Sequence, residues 1–138
     1  MQLGTFGAIL KYAIDIEGSA SIFYDELAKV APEGAKAGIC EMANASRKNK
    51  QTLEKTRRME MQEMILEAIT GIDTSNYEAK LEVPSNFKAG LTQAQEIERK
   101  ASAFYADASK KLGFLPNANR TLERIGKDRA ARIEKLRA

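Results

Sequence analysis

Two glutamates occupy the same nine-residue pattern at distant points of the chain. Ile16-Glu17-x-x-Ala20-Ser21-x-Phe23-Tyr24 recurs as Ile97-Glu98-x-x-Ala101-Ser102-x-Phe104-Tyr105, at a constant offset of 81 (17 to 98). Each glutamate is followed two helical turns later by a tyrosine on the same helix face. Paired carboxylates facing the interior of a four-helix bundle are one half of a two-metal carboxylate site. The other half is a Glu-x-x-His on each partner helix. The chain contains no histidine, so the ligand set for iron or manganese is incomplete in the sequence itself.

Four amphipathic helices are predicted to carry these residues. The first runs from about Phe6 to Val30, with Leu10, Ala13, Ile14, Glu17, Ala20, Ser21, Tyr24, Leu27 and Ala28 on one face. The second runs from about Pro32 to Ala68, with Ile39, Met42, Ala43, Ser46, Asn49, Leu53 and Met64 near its inward stripe. Gly71 is read as its C-terminal residue. Residues 72–89 are rich in Asp, Ser, Asn and Thr and read as a long connector pinned by Ile72, Tyr77, Leu81, Val83 and Phe87. The third helix runs from about Leu91 to Leu112. The fourth runs from about Asn117, its expected cap, to Leu136, with Leu122, Ile125, Arg129, Ile133 and Leu136 on one stripe. A connector this long lets helix three start at the same end as helix two, which is the ferritin-like topology with one crossover. Residues 1–138 thus read as one all-α, ferritin-like four-helix bundle made of two similar hairpins.

Composition narrows the classes further. Apolar residues make up 43% and charged residues 30% of the chain, which is globular rather than disordered composition. No apolar run approaches the length of a membrane span, and the N-terminal residues lack signal-peptide character, so a cytoplasmic location and no membrane partner are expected. Basic residues in Arg47-Lys48-x-Lys50, Lys55-x-Arg57-Arg58 and 120–137 alternate with acidic ones. They read as solvated helix faces, not as a nucleic-acid interface. Cys40 is single, which excludes an intrachain disulfide, and reads as a buried small apolar residue. Met59, Met61 and Met64 read as core or interface packing.

The repeated Glu-x-x-Ala-Ser-x-Phe-Tyr, the long connector and the chain length together resemble the ferritin-like domain of the rubrerythrin family. The resemblance implies that Glu17 and Glu98 correspond to the single glutamates of that family's di-iron site, and Tyr24 and Tyr105 to its flanking aromatics. On the second helix of each hairpin the family pattern is roughly apolar-x-x-apolar-Ala-x-x-Glu-x-x-His-x-x-x-Leu. Here the copies read Ile39-x-x-Met42-Ala43-x-x-Ser46-x-x-Asn49-x-x-x-Leu53 and Leu122-x-x-Ile125-Gly126-x-x-Arg129-x-x-Arg132-x-x-x-Leu136. The apolar frame is kept and the ligands are replaced by Ser46, Asn49, Arg129 and Arg132. The family also implies side-by-side homodimers.

Arginine holds its proton and repels a cation, so it would replace a metal rather than bind one. The expected arrangement is a protein-only cluster in which Arg129 and Arg132 each approach a glutamate in a fork, with the two tyrosine hydroxyls as further partners. The alternative placement is on the surface, with the glutamates solvated and the arginines turned outward. Three functional readings follow. The first is a non-catalytic, metal-free bundle with a structural or interaction role and no cofactor. The second is an iron- or manganese-dependent oxidoreductase using carboxylates alone, for which a one-residue shift would bring in Asp128. The third is a bundle binding a small ligand or a protein partner in the emptied metal site.

Overall fold

The computed structural model describes residues 1–61 and 68–137. Among these residues it is all-α, with four long helices: α1 (Phe6–Val30), α2 (Glu33–Met61), α3 (Phe87–Lys111) and α4 (Pro116–Lys135). They form a four-helix bundle in which α1 packs chiefly on α2, and α3 on α4. Among the described residues no helix is long and apolar enough to cross a membrane.

The helices start and stop where side-chain chemistry directs. Thr5 accepts the Ala8 N–H through Oγ1 at 3.1 Å and caps α1. Asn86 does the same for Ala89 at 3.1 Å, so α3 begins at Phe87, four residues earlier than the apolar periodicity predicts. The fourth helix is not capped by Asn117. Pro116 occupies its first turn after Leu115, where the missing N–H is no loss, and Asn117 accepts instead from Arg120 at 2.7 Å. Gly71 is also reassigned. It has a φ of +88° but follows three non-helical residues, so it serves a turn and does not end a helix. The reading of α2 beyond Met61, including Met64, lies outside the described residues as far as Glu67, and Ala68 is not helical.

The inward stripes follow the sequence periodicity. Leu10, Ala13, Ile14, Ala20, Tyr24 and Leu27 of α1 are buried, as are Ile39, Met42, Ala43 and Leu53 of α2. Cys40, expected inside, is exposed. Ile39 and Ala43 set the phase of α2, and one residue further on turns the thiol about 100° off that stripe. The connector is held at its start by a short backbone clamp. Leu3 donates to the Ile72 carbonyl (2.8 Å), Thr74 to that of Met1 (2.9 Å) and Ile69 to that of Gly4 (3.0 Å). Ile72 and Tyr77 are buried, while Val83 and Phe87 are half-buried against the apolar cluster that includes Leu27, Ile39 and Ala94. Leu81 is not an anchor, being 48% exposed. The Tyr77 hydroxyl donates to Asp107 on α3 at 2.6 Å, and its ring meets Phe104 edge-on at 5.4 Å.

The close approach of α3 and α4 depends on Gly126, where an added Cβ would lie 2.8 Å from Tyr105 Cβ. That atom is fixed to the α3 backbone and cannot swing aside. Gly126→Ala is therefore expected to destabilise by about 1–3 kcal/mol despite alanine's better helix propensity. The matched Gly38→Ala, whose Cβ meets nothing within 4 Å, should stabilise by up to about 1 kcal/mol. Urea denaturation of the two variants checks the contrast.

Candidate functional site

The eight residues singled out in the sequence converge in the bundle core. Glu17 and Glu98 are both fully buried, at 0% exposure. Ser46, Asn49, Arg129, Arg132, Tyr24 and Tyr105 surround them, all buried as well. The surface placement of these groups is therefore not adopted.

The repeat produces a reciprocal exchange between hairpins. Tyr24 on α1 donates its hydroxyl to Glu98 Oε1 on α3 at 2.8 Å. Tyr105 on α3 donates to Glu17 Oε2 on α1 at 2.7 Å. The neighbouring phenylalanines copy one another too, with Phe23–Tyr24 and Phe104–Tyr105 in edge-on contact at 5.5 and 5.3 Å. Even the serines match. Ser21 Oγ donates to the Gly18 carbonyl (2.8 Å) and Ser102 Oγ to that of Arg99 (3.0 Å). Identical residues at the same offset take corresponding positions, although Ile16 and Ser102 are less buried than Ile97 and Ser21.

The partner helices break this symmetry. Arg129 is the largest fully buried side chain among the described residues. Its Nε donates to Glu98 Oε2 at 2.5 Å, and its Nη1 donates to Glu17 Oε2. One guanidinium thus spans both carboxylates, where the sequence reading had one arginine for each. Arg132 plays a different part. Its Nη1 donates to Ser46 Oγ at 2.8 Å and reaches Glu98 Oε1 at 3.5 Å, while its guanidinium lies 5.8 Å from the centre of the Tyr24 ring. Asn49 Nδ2 donates to Glu17 Oε1 at 3.1 Å. Every carboxylate oxygen of the pair accepts at least one hydrogen bond, the condition for burying such groups.

The electrostatics fit this arrangement. Burial alone would lower the Arg129 value, but the carboxylates of Glu17 and Glu98 outweigh it and hold the guanidinium well above its usual range. Burial, then the Glu98 carboxylate, raises the Tyr24 phenol far above its usual value. Burial and Glu17 do the same for Tyr105. Two carboxylates and two guanidiniums leave the cluster formally neutral.

These residues do not fit a di-metal centre. The Arg129 guanidinium occupies the space between the two carboxylates, and a cation there would face a fixed positive charge at hydrogen-bond distance from both ligands. Asp128 is not brought in: it is exposed and pairs with Arg124 at 3.7 Å on the surface. Among the described residues no group of three or more His, Cys, Asp or Glu side chains is placed to hold a metal ion.

Two openings flank the cluster, each lined in part by one of its arginines. A cavity of about 220 Å³ between α1, α3 and the connector is lined by Tyr12, Ile16, Tyr77, Ile97 and Arg129, among others. A larger groove between α2, α3 and α4 includes Arg132 in its lining. Neither was visible in the sequence, because each depends on how three segments meet. No protein-family model, characterised protein or solved structure matches the chain.

Two measurements test the cluster. Arg129→Met leaves two buried carboxylates without their shared cation and is expected to cost about 3–5 kcal/mol, whereas Tyr105→Phe removes one hydrogen bond and costs about 1–3 kcal/mol; urea denaturation ranks them. The tyrosines also set an alkaline limit. Because folding raises the phenol values of Tyr24 and Tyr105, their contribution is complete below pH 10 and is lost as pH rises above it, since the unfolded chain ionises first. Each phenol should steepen the loss by about 1.4 kcal/mol per pH unit. In a Tyr12→Phe, Tyr77→Phe background, phenolate absorbance should then appear together with the loss of helical circular dichroism, not before it.

Proposed function

We propose that this chain is a non-catalytic, metal-free relative of the rubrerythrin-type ferritin-like bundles, with a structural or interaction role. The observation that carries the reading is the buried Arg129 guanidinium bridging Glu17 and Glu98. An ion-pair cluster stands where the family places its irons, and it neutralises the two carboxylates without a metal. The repeat supports common descent of the two hairpins, since both copies keep the Glu, Ser, Phe and Tyr positions in matching surroundings.

Helix directions support the ferritin-like topology. Arg57 meets Gly7, and Arg47 meets Asp25, so α1 and α2 are antiparallel. The Glu17–Tyr105 and Tyr24–Glu98 bonds make α1 and α3 antiparallel. Helices α2 and α3 then point the same way, and their connection must travel the length of the bundle. A homodimer is part of the reading: Met59 and Met61 near the end of α2 are 51% and 48% exposed, and Ile22 on α1 is 66% exposed. Sedimentation equilibrium measures it directly.

The decisive experiment restores the family's ligands. Purified protein incubated anaerobically with ferrous iron is expected to retain no stoichiometric metal. The fourfold variant Ser46→Glu, Asn49→His, Arg129→Glu, Arg132→His rebuilds a Glu-x-x-His on each second helix and should bind a pair of metal ions. Stoichiometric iron in the unaltered protein would overturn the metal-free reading. A folded variant that binds none would overturn the kinship.

A further inference from the structure

The groove between α2, α3 and α4 encloses about 650 Å³, within the ~300–1,000 Å³ range of small-molecule sites. One side of it is lined by glycines. Gly34 and Gly38 on α2 line it, and a Cβ at either would meet nothing within 4 Å. Ile39 and Met42 from α2 and Phe87 and Leu91 from α3 supply an apolar wall.

One lining residue is chemically unfinished. Arg132 is 4% exposed, and its Nη1 serves both Ser46 and Glu98. Its Nη2 is buried with no hydrogen-bond partner, the one such side-chain nitrogen or oxygen among the described residues. A buried donor on a charged group costs more than a neutral one when unpaired. The missing partner is an acceptor, and a guanidinium edge is best matched by a carboxylate-type oxyanion.

The surrounding charges select among oxyanions. Lys135 and Arg137 also line the groove, with Arg137 held by Glu134 at 3.2 Å. Glu41 and Asp128 line it too, with Asp128 engaged by Arg124. Exposed Lys135 offsets exposed Glu41, which leaves Arg132 as the one buried cation facing a ligand and no second one for a dianionic phosphate. A single negative charge on an apolar body fits both the wall and the one free guanidinium edge.

We propose that this groove binds an amphipathic monocarboxylate, its carboxylate accepting from Arg132 Nη2 and its apolar body lying along Ile39, Met42, Phe87 and Leu91. The site shares Arg132 with the core but not the Glu17–Arg129–Glu98 bridge that carries the metal-free reading, so its failure would leave that reading standing, and metal analysis tests that reading alone. The probe is decanoate, compared with decanol and decyl phosphate, by isothermal titration calorimetry below the micellar concentrations of the two anions and the solubility limit of the alcohol. Decanoate should bind saturably, one per chain, and more tightly than either comparator. Arg132→Gln should weaken it by about tenfold or more, the loss of one charge-assisted contact. Because Arg132 also supports Glu98, Gly38→Leu is the independent variant: it fills the groove from an open position, should fold with unchanged or raised Tm, and should abolish binding. Absence of decanoate binding up to about 1 mM, equal binding of decanol, or undiminished binding to Gly38→Leu would each overturn the proposal.

Discussion

Two carboxylates at the centre of an apolar bundle have to be neutralised, and the rest of the core is arranged around how that is done. Glu17 and Glu98 are wholly buried, where an unpaired charge would cost more than the stability of a typical domain supplies. Arg129 meets this demand from between them, and the hydroxyls of Tyr24 and Tyr105 and the amide of Asn49 take up remaining lone pairs. The tight α3–α4 approach at Gly126 belongs to the same constraint, since it brings the Arg129 backbone close to the helix that carries Glu98 and Tyr105. A buried polar cluster of this kind contributes little net stability over an apolar core of equal volume. What it supplies is register: a helix shifted by one residue would strand a charge.

The parts of this arrangement that follow from periodicity were legible in the sequence. Glu17, Ser46, Asn49, Glu98, Arg129 and Arg132 share stripes with apolar residues at 3–4 spacing, and the helical period alone brings them inside. The repeat pairs each tyrosine with a glutamate, but the bond crosses to the other copy. What could not be read was distance between helices. Whether one arginine spans two carboxylates or each takes its own depends on a few ångströms of interaxial spacing, and no residue pattern encodes that.

Misreadings clustered where a single residue step changes the outcome. Cys40 is one position past Ile39 and faces solvent instead of the core. Asn117 is a good capping residue placed just after Pro116, which had already begun the helix. Asn86 supplied a cap three residues ahead of Ala89, and the polar composition of the connector masked it. The α2–α3–α4 groove was hidden for a different reason. Glycines at 34 and 38 carry no signal of their own in the sequence, whereas in three dimensions they line the groove.

The division of labour between the hairpins bears on how the chain folds. Both cations of the core come from α4, while α1 supplies one of the two carboxylates, and the Arg129–Glu17 contact joins residues 112 apart in sequence. The α1–α2 hairpin alone would bury Glu17 beside Asn49 with no counter-charge. The α3–α4 hairpin alone would carry an excess of positive charge against its single glutamate. Neither half balances its own buried charge, despite the nine-residue repeat they share. The centre closes only when both arrive, so the core amides of all four helices should open together in a single global unfolding event.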